Sequence, residues 1–170
     1  MGVLLLVPFF LGRFGLMALL DRGALIRAAH FPPMEGGERA AYWVYQFSTA
    51  ALLLGLCFAR VRPSRFLLAG GVCCGVGWLL LLWSVAEFCA PAEEGLRQMG
   101  PYRFSRNPMY LAYFLFFAGC VLLTASWPLA AALACFQGSA HWIILAEERW
   151  CLENFGERYR QYMRRVHRYF

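Results

Sequence analysis

MYLAYFLFFAGCVLLTA (residues 109–125) runs into Ser126-Trp127-Pro128 and then into LAAALACFQGSAHWIILA (residues 129–146), which stops at Glu147-Glu148. Neither run holds a charged residue, and they have 17 and 18 residues. At about 1.5 Å per helical residue each approaches the ~30 Å of a bilayer core. Lipid offers backbone groups no partners, so both runs are expected to be helices. A turn of three residues makes them a hairpin that leaves one membrane face and returns to it. Residues some forty positions apart, around 107 and 147, are thereby brought to the same face.

Three more apolar stretches precede this pair: about 2–20, interrupted by Arg13, about 41–59, and 66–86. The composition agrees with a membrane protein. Of 170 residues, 61% are hydrophobic and only 15% charged, and mean hydropathy is +0.50. A soluble domain carries about 25% charged residues. The expected fold is therefore all-α, an integral membrane bundle of about five transmembrane helices. Residues 1–170 are read as a single membrane domain. Residues 1–86 supply three N-terminal spans, and 87–170 a catalytic loop, the hairpin and a C-terminal helix. The first stretch has no positive front end and no A-x-A site after it, so it reads as an uncleaved helix. Arg13 in its middle calls for a partner, a wet pocket or snorkelling.

All sixteen basic residues are arginine, and net charge is +6. With five spans, twelve arginines fall on the side of the C-terminus and three, Arg60, Arg62 and Arg65, on the other. The bias predicts a cytoplasmic C-terminus. The arginines sit at the ends of apolar runs and suit membrane lipid headgroups; they form no stripe for nucleic acid. The seven cysteines make no C-x-x-C pair, so they read as small apolar side chains, and no metal site is expected. In the third stretch Gly71 and Gly75 stand in a GxxxG relation that predicts close helix packing.

Polar residues gather at Gly100-Pro101-Tyr102-Arg103-Phe104-Ser105-Arg106-Asn107-Pro108-Met109-Tyr110 and at Glu147-Glu148-Arg149 with the tail behind. Pro108 suits the first turn of a helix, placing Arg106 and Asn107 before free N–H groups that favour an anion. Two carboxylates closing an apolar helix oppose its dipole, so a ligand cation, ammonium or sulfonium, explains them better than stability does. Leu152, Phe155, Tyr159, Tyr162 and Val166 recur at helical spacing and predict an amphipathic interfacial helix, bent near Gly156, that roofs the hairpin mouth.

The run Gly100 to Tyr110, followed by E-E-R-W-C-L-E-N-F-G-E-R-Y-R-Q-Y-M-R-R-V (Glu147 to Val166), resembles the isoprenylcysteine carboxyl methyltransferase and phospholipid methyltransferase superfamily of integral membrane methyltransferases. The resemblance covers residues 100–168. It implies an S-adenosylmethionine-dependent enzyme acting on a lipophilic small-molecule or lipid-modified acceptor at the cytoplasmic face. By position, Tyr102, Asn107, Pro108, Met109, Tyr110, Glu147, Glu148 and Arg97 would bind the cofactor, with the stretch Glu94 to Arg97 adding backbone contacts. Glu148 and Arg106 would be the catalytic residues. The chain departs from the family pattern at Asn107, often histidine, at Ala112, often glycine, and at His167, commonly proline. Enzymes that methylate isoprenylcysteine carry an arginine one turn before the glutamate, where this chain has Ile143. That departure weighs against isoprenylcysteine itself and keeps phospholipid N-methylation as an alternative. A carboxylate acceptor needs no general base, whereas an amine or phenol would draw on His141, Glu148 or Tyr110. Phe114, Phe116 and Phe117 would suit an acceptor chain. A steroid-reductase-like enzyme using NADPH shares part of the pattern, but Met109 and Ala112-Tyr113 differ from it. A non-catalytic membrane scaffold is the remaining alternative.

Overall fold

The computed structural model describes residues 1–29, 31–91 and 95–169. The chain is an all-helical membrane bundle, with α1 at Val3–Leu20, α2 at Arg22–Ala29, α3 at Glu38–Phe58, α4 at Leu67–Cys89, α5 at Pro108–Thr124 and α6 at Trp127–Arg165. Helices α1, α3, α4 and α6 are long and apolar enough to cross a bilayer. With 17 residues, α5 is shorter, rising about 26 Å. It begins at Pro108 as expected and ends where Ala125 turns left-handed, with φ 47°. The last helix overruns its apolar stretch by five turns, because α6 continues through Glu147-Glu148 into the tail.

The hairpin arms choose partners other than each other. The most extensive helix pairs are α4 with α5 and α3 with α6. A seam of small side chains explains the first. A Cβ on Gly77 would stand 2.5 Å from the Phe116 nitrogen, and one on Gly119 would stand 2.5 Å from the Cys74 nitrogen. Gly70 is similarly pressed against Leu123 and Gly119. Backbones this close gain dispersion contact that lipid tails cannot match. The Cys74 thiol fills the seam, donating to the Phe116 carbonyl at 3.4 Å. The GxxxG pair expected to do this work, Gly71 and Gly75, faces open space instead. The tight contact runs through Gly70, Cys74 and Gly77, on the other side of the helix.

Helix α1 seats on α5 through aromatic rings: Phe9 lies 5.1 Å from both Phe116 and Phe117 and 5.8 Å from Tyr113. Phe116 and Phe117 thus belong to the core, at 2% exposure each. Trp78 of α4 donates its indole N–H to the Pro8 carbonyl at 2.8 Å. Between α1 and α2, Asp21 accepts from Arg27 at 2.7 Å and from the Gly23 nitrogen at 2.8 Å. The arginine first, then the backbone N–H, hold its carboxyl below the usual range.

Gly156 breaks α6 at φ 54° and ψ −127°, a combination open chiefly to glycine. The bend returns the amphipathic stretch toward the bundle. Tyr159 and Tyr162 bury against Leu96 of the 95–99 loop, with Leu152, Phe155 and Val166 around them.

These contacts order the glycines by tolerance. Gly119→Ala should lower the apparent unfolding temperature in detergent, a loss of about 1–3 kcal/mol from overpacking. Gly75→Ala should leave it unchanged or slightly raised. Equal effects at the two positions would remove the α4–α5 seam as the source of packing.

Candidate active site

The loop entering α5 is set by residues that leave it little freedom. Gly100 has φ 56°, and a Cβ there would meet Glu87 Oε2 at 2.9 Å and Trp83 Nε1 at 3.1 Å. A 3-10 turn follows at Gly100–Arg103, and its Tyr102 carbonyl accepts the Tyr162 hydroxyl at 2.6 Å. Ser105, 3% exposed, accepts from the Asn107 nitrogen and donates to the Arg168 carbonyl, each at 3.2 Å. Asn107 Nδ2 reaches the same carbonyl at 3.2 Å, and the Arg106 nitrogen donates to the His167 carbonyl at 3.0 Å. The tail after α6 therefore lies across the start of α5, where an anion was expected.

Two adjacent carboxylates have opposite surroundings. Glu148 is enclosed: Arg106 donates to Oε1 from Nη2 at 2.7 Å and Nε at 3.0 Å, and Arg168 donates to Oε2 from Nη2 at 2.7 Å. The side chains of Arg106 and Glu148 are 7% and 5% exposed. Arg106 Nη1 further donates to the Val166 and Met163 carbonyls at 2.8 and 3.2 Å. The Glu148 hydrogen bonds hold the Arg168 guanidinium above its usual range. Loop, α6 and tail are thus tied at one point.

Glu147 has one partner among the described residues, the Tyr110 hydroxyl, which donates to Oε1 at 2.7 Å. Aromatic rings surround the pair. Tyr110 lies 6.1 Å from Tyr113 and 6.4 Å from Tyr45, and Tyr45 stacks on Phe136 at 5.0 Å. Tyr113 reaches the Met109 sulfur at 3.8 Å. Tyr102 belongs to the same neighbourhood, and burial pushes its phenol above the usual range. Its hydroxyl stays protonated and remains a hydrogen-bond donor at neutral pH.

Arg106, Asn107, Pro108, Met109, Tyr110, Glu147 and Glu148 therefore converge at the hairpin mouth. Arg97 lies farther out, stacked over Phe88 at 4.9 Å and donating to the Gly95 and Ala90 carbonyls at 3.2 and 3.4 Å. Its buried Nε has no hydrogen-bond partner among the described residues. Glu94, which opens the stretch expected to add backbone contacts, lies outside the described residues. His141 is held by Tyr169, with Nδ1 and the hydroxyl 2.7 Å apart. The sequence reading missed Arg168 and Tyr45, and gave Tyr162 a place on the roofing helix without its bond to the Tyr102 carbonyl. It also missed the N-terminal half's contribution: Glu38 at the start of α3 takes two hydrogen bonds from Arg149, at 2.7 and 2.8 Å. A charged pair flanking two apolar runs was the available signal for that last contact.

The chain is a helical membrane bundle with Glu147 set among tyrosines at one end. Residues 67–158 match the family described as Phospholipid methyltransferase. The chain belongs to that family, part of the superfamily of integral membrane methyltransferases. No curated protein and no solved structure matches it.

The two carboxylates should respond differently to loss of charge. Glu148→Gln leaves Arg106 buried without a counter-charge and should destabilise the fold by about 3–5 kcal/mol. Glu147→Gln gives up one neutral-donor hydrogen bond and should stay within about 1 kcal/mol of wild type. Thermal unfolding of both variants in detergent checks the contrast.

Proposed function

We propose that the chain transfers a methyl group from S-adenosylmethionine to a lipophilic acceptor at the face where Tyr110 meets Glu147. The observation that carries this reading is the unequal state of the two carboxylates. Glu148 is saturated by arginines, whereas Glu147 is half-satisfied in an apolar, aromatic setting. A carboxylate there is stabilised by a cation close to it. The cofactor's ammonium fits that need, and the π faces of Tyr45, Tyr102 and Tyr110 suit a sulfonium. The orphaned Arg97 Nε offers a further donor to the cofactor's acidic or hydroxyl groups. Asn107, Pro108 and Met109 would complete the lining.

S-adenosylmethionine, when bound, supplies an electrophilic methyl group on sulfur. The chain's own part is mainly alignment and exclusion of water. Tyr110 fixes the orientation of Glu147 through the hydrogen bond to Oε1. The Arg106–Glu148–Arg168 clasp holds α6 against the loop, so in this reading Glu148 and Arg106 act by positioning rather than by touching the reacting atoms. An amine acceptor would need a separate proton acceptor, since Glu147 is committed to the cofactor's ammonium. The arginine bias puts this face in the cytoplasm. Ile143, with no exposure, supports an acceptor other than isoprenylcysteine, and phospholipid N-methylation is the alternative.

Calorimetry with S-adenosylhomocysteine tests the site. Wild type should bind it, and Glu147→Gln should weaken binding by about tenfold or more with little change in unfolding temperature. Unchanged affinity in that variant, or binding of NADPH in its place, would show the reading to be wrong. Incubation with S-adenosylmethionine and membrane lipid should yield a species heavier by one methyl in mass spectra of the extract.

A further inference from the structure

The proposed site leaves one charge of the membrane interior unused. Arg13 lies eight residues inside α1 from Asp21, at the centre of a π-helical turn, Leu11–Gly15. Such turns are uncommon and recur at functional sites. The neighbouring Gly12 seats the turn on α4, where a Cβ would meet Leu82 at 3.1 Å and Trp78 Nε1 at 3.2 Å. The direction in which Arg13 leaves the helix is thereby fixed.

Its guanidinium has a thioether, two rings and the Tyr113 hydroxyl as partners among the described residues. Nη1 points along the helix toward the proposed active face and reaches the Met17 sulfur at 3.1 Å. The carbon Cζ stands 5.5 Å from the Phe14 ring and 5.8 Å from the Tyr113 ring. No carboxylate among the described residues pairs with it. An arginine at mid-span is costly to hold in lipid, and a thioether, two ring faces and a neutral hydroxyl offset little of that cost. Intramembrane charges are kept for ligands or ion pathways more often than for stability.

The position tells which ligand. Tyr113 is buried at 8% exposure, while Phe14, Phe10 and Leu11 are 48%, 39% and 62% exposed along the outer side of α1. The guanidinium therefore bridges an interior ring beside Tyr110 and a ring open to lipid. Its charge also acts on Glu147, Tyr45 and Tyr102. A carboxylate facing the water side calls for a cation; an arginine set toward the lipid side calls for an anion attached to something apolar.

We infer that Arg13 is the receptor for the acidic group of the methyl acceptor, an amphiphile bearing a carboxylate or phosphate that enters from lipid between α1 and α5. The acidic group sits on the guanidinium and the chain lies along Phe10 and Phe14. This assignment rests on the methyltransferase reading for the word acceptor, but the contact itself is measured without turnover.

The test uses the full chain in a neutral detergent with three probes of equal chain length: oleate, oleoyl lysophosphatidic acid and mono-oleoylglycerol. Binding is read by native mass spectrometry, and S-adenosylhomocysteine binding by calorimetry on the same samples. Wild type should prefer at least one acidic probe over the neutral one by about tenfold; which one it prefers tells carboxylate from phosphate. Arg13→Gln should abolish the preference, Arg13→Lys should keep most of it, and both should bind S-adenosylhomocysteine as wild type does. Wild type without a preference, or an Arg13→Gln protein that keeps it, overturns the assignment. So does parallel loss of S-adenosylhomocysteine, which would give Arg13 to the cofactor. If wild type does not bind S-adenosylhomocysteine, the cofactor reading fails by itself while the acid preference still decides Arg13. Should Arg13→Gln not fold, photo-cross-linking of wild type with a diazirine fatty acid decides, with adducts expected at Phe10, Phe14 or Tyr113. Adducts elsewhere only would overturn the proposal.

Discussion

The clasp between Arg106, Glu148 and Arg168 is the constraint on which the rest of this end of the molecule depends. It joins three segments through buried charges: the loop before α5, the middle of α6 and, from a partly exposed arginine, the last residues of the tail. A buried carboxylate between two arginines carries a desolvation penalty that only near-complete hydrogen bonding offsets. Here the remaining Arg106 donors are taken by the Met163 and Val166 carbonyls, so the network closes on itself. One consequence is chemical. Because the clasp consumes Glu148, the adjacent Glu147 is held at a fixed place on a rigid helix while keeping an oxygen free.

The second constraint acts at a distance from the site. Gly70, Gly77 and Gly119 let α4 and α5 approach to backbone contact, which fixes the axis of α5 independently of α6. The clasp then fixes α6 from the loop side, and α3 supports it along its length. The hairpin arms are thus positioned by different partners, and the space between them at the mouth is left to side chains. Tyr110, Tyr113 and Tyr45 occupy it. A tightly self-packed hairpin would have no room there.

Much of this was legible in the sequence, for reasons that differ by feature. The spans and the hairpin are written in composition, since lipid demands apolar length and a charge-free turn region is conspicuous. The gathering of Arg106–Tyr110 with Glu147–Glu148 follows from hairpin topology alone. The bend at Gly156 was visible because glycine interrupts an amphipathic period. Partner choice was not visible. Gly71 and Gly75 match the spacing of a packing motif, yet the face that packs is set by where neighbouring bulk, such as Phe116, can be accommodated. Arg168 was hidden because a tail that doubles back has no periodicity to betray it. The division of labour between Glu147 and Glu148 was hidden as well, since adjacent residues on a helix point about 100° apart and only tertiary contacts tell which one faces the arginines.

The two charges nearest the tyrosine cluster, Glu147 and Arg13, do not form an ion pair with each other. That separation is informative on energetic grounds. Opposite charges in a low-dielectric interior attract strongly, so a bundle selected for stability alone would bring them together or replace both by apolar residues. Instead Tyr110 engages the carboxylate from one side, and the Tyr113 ring takes the guanidinium from the other. Hydroxyl and ring are weak partners that a charged ligand group can outcompete. Such partners leave both charges open to a ligand group, one on each side of the tyrosines. In the reading proposed above, a methyl donor would bring an ammonium to Glu147 and a lipid acceptor an acidic group to Arg13.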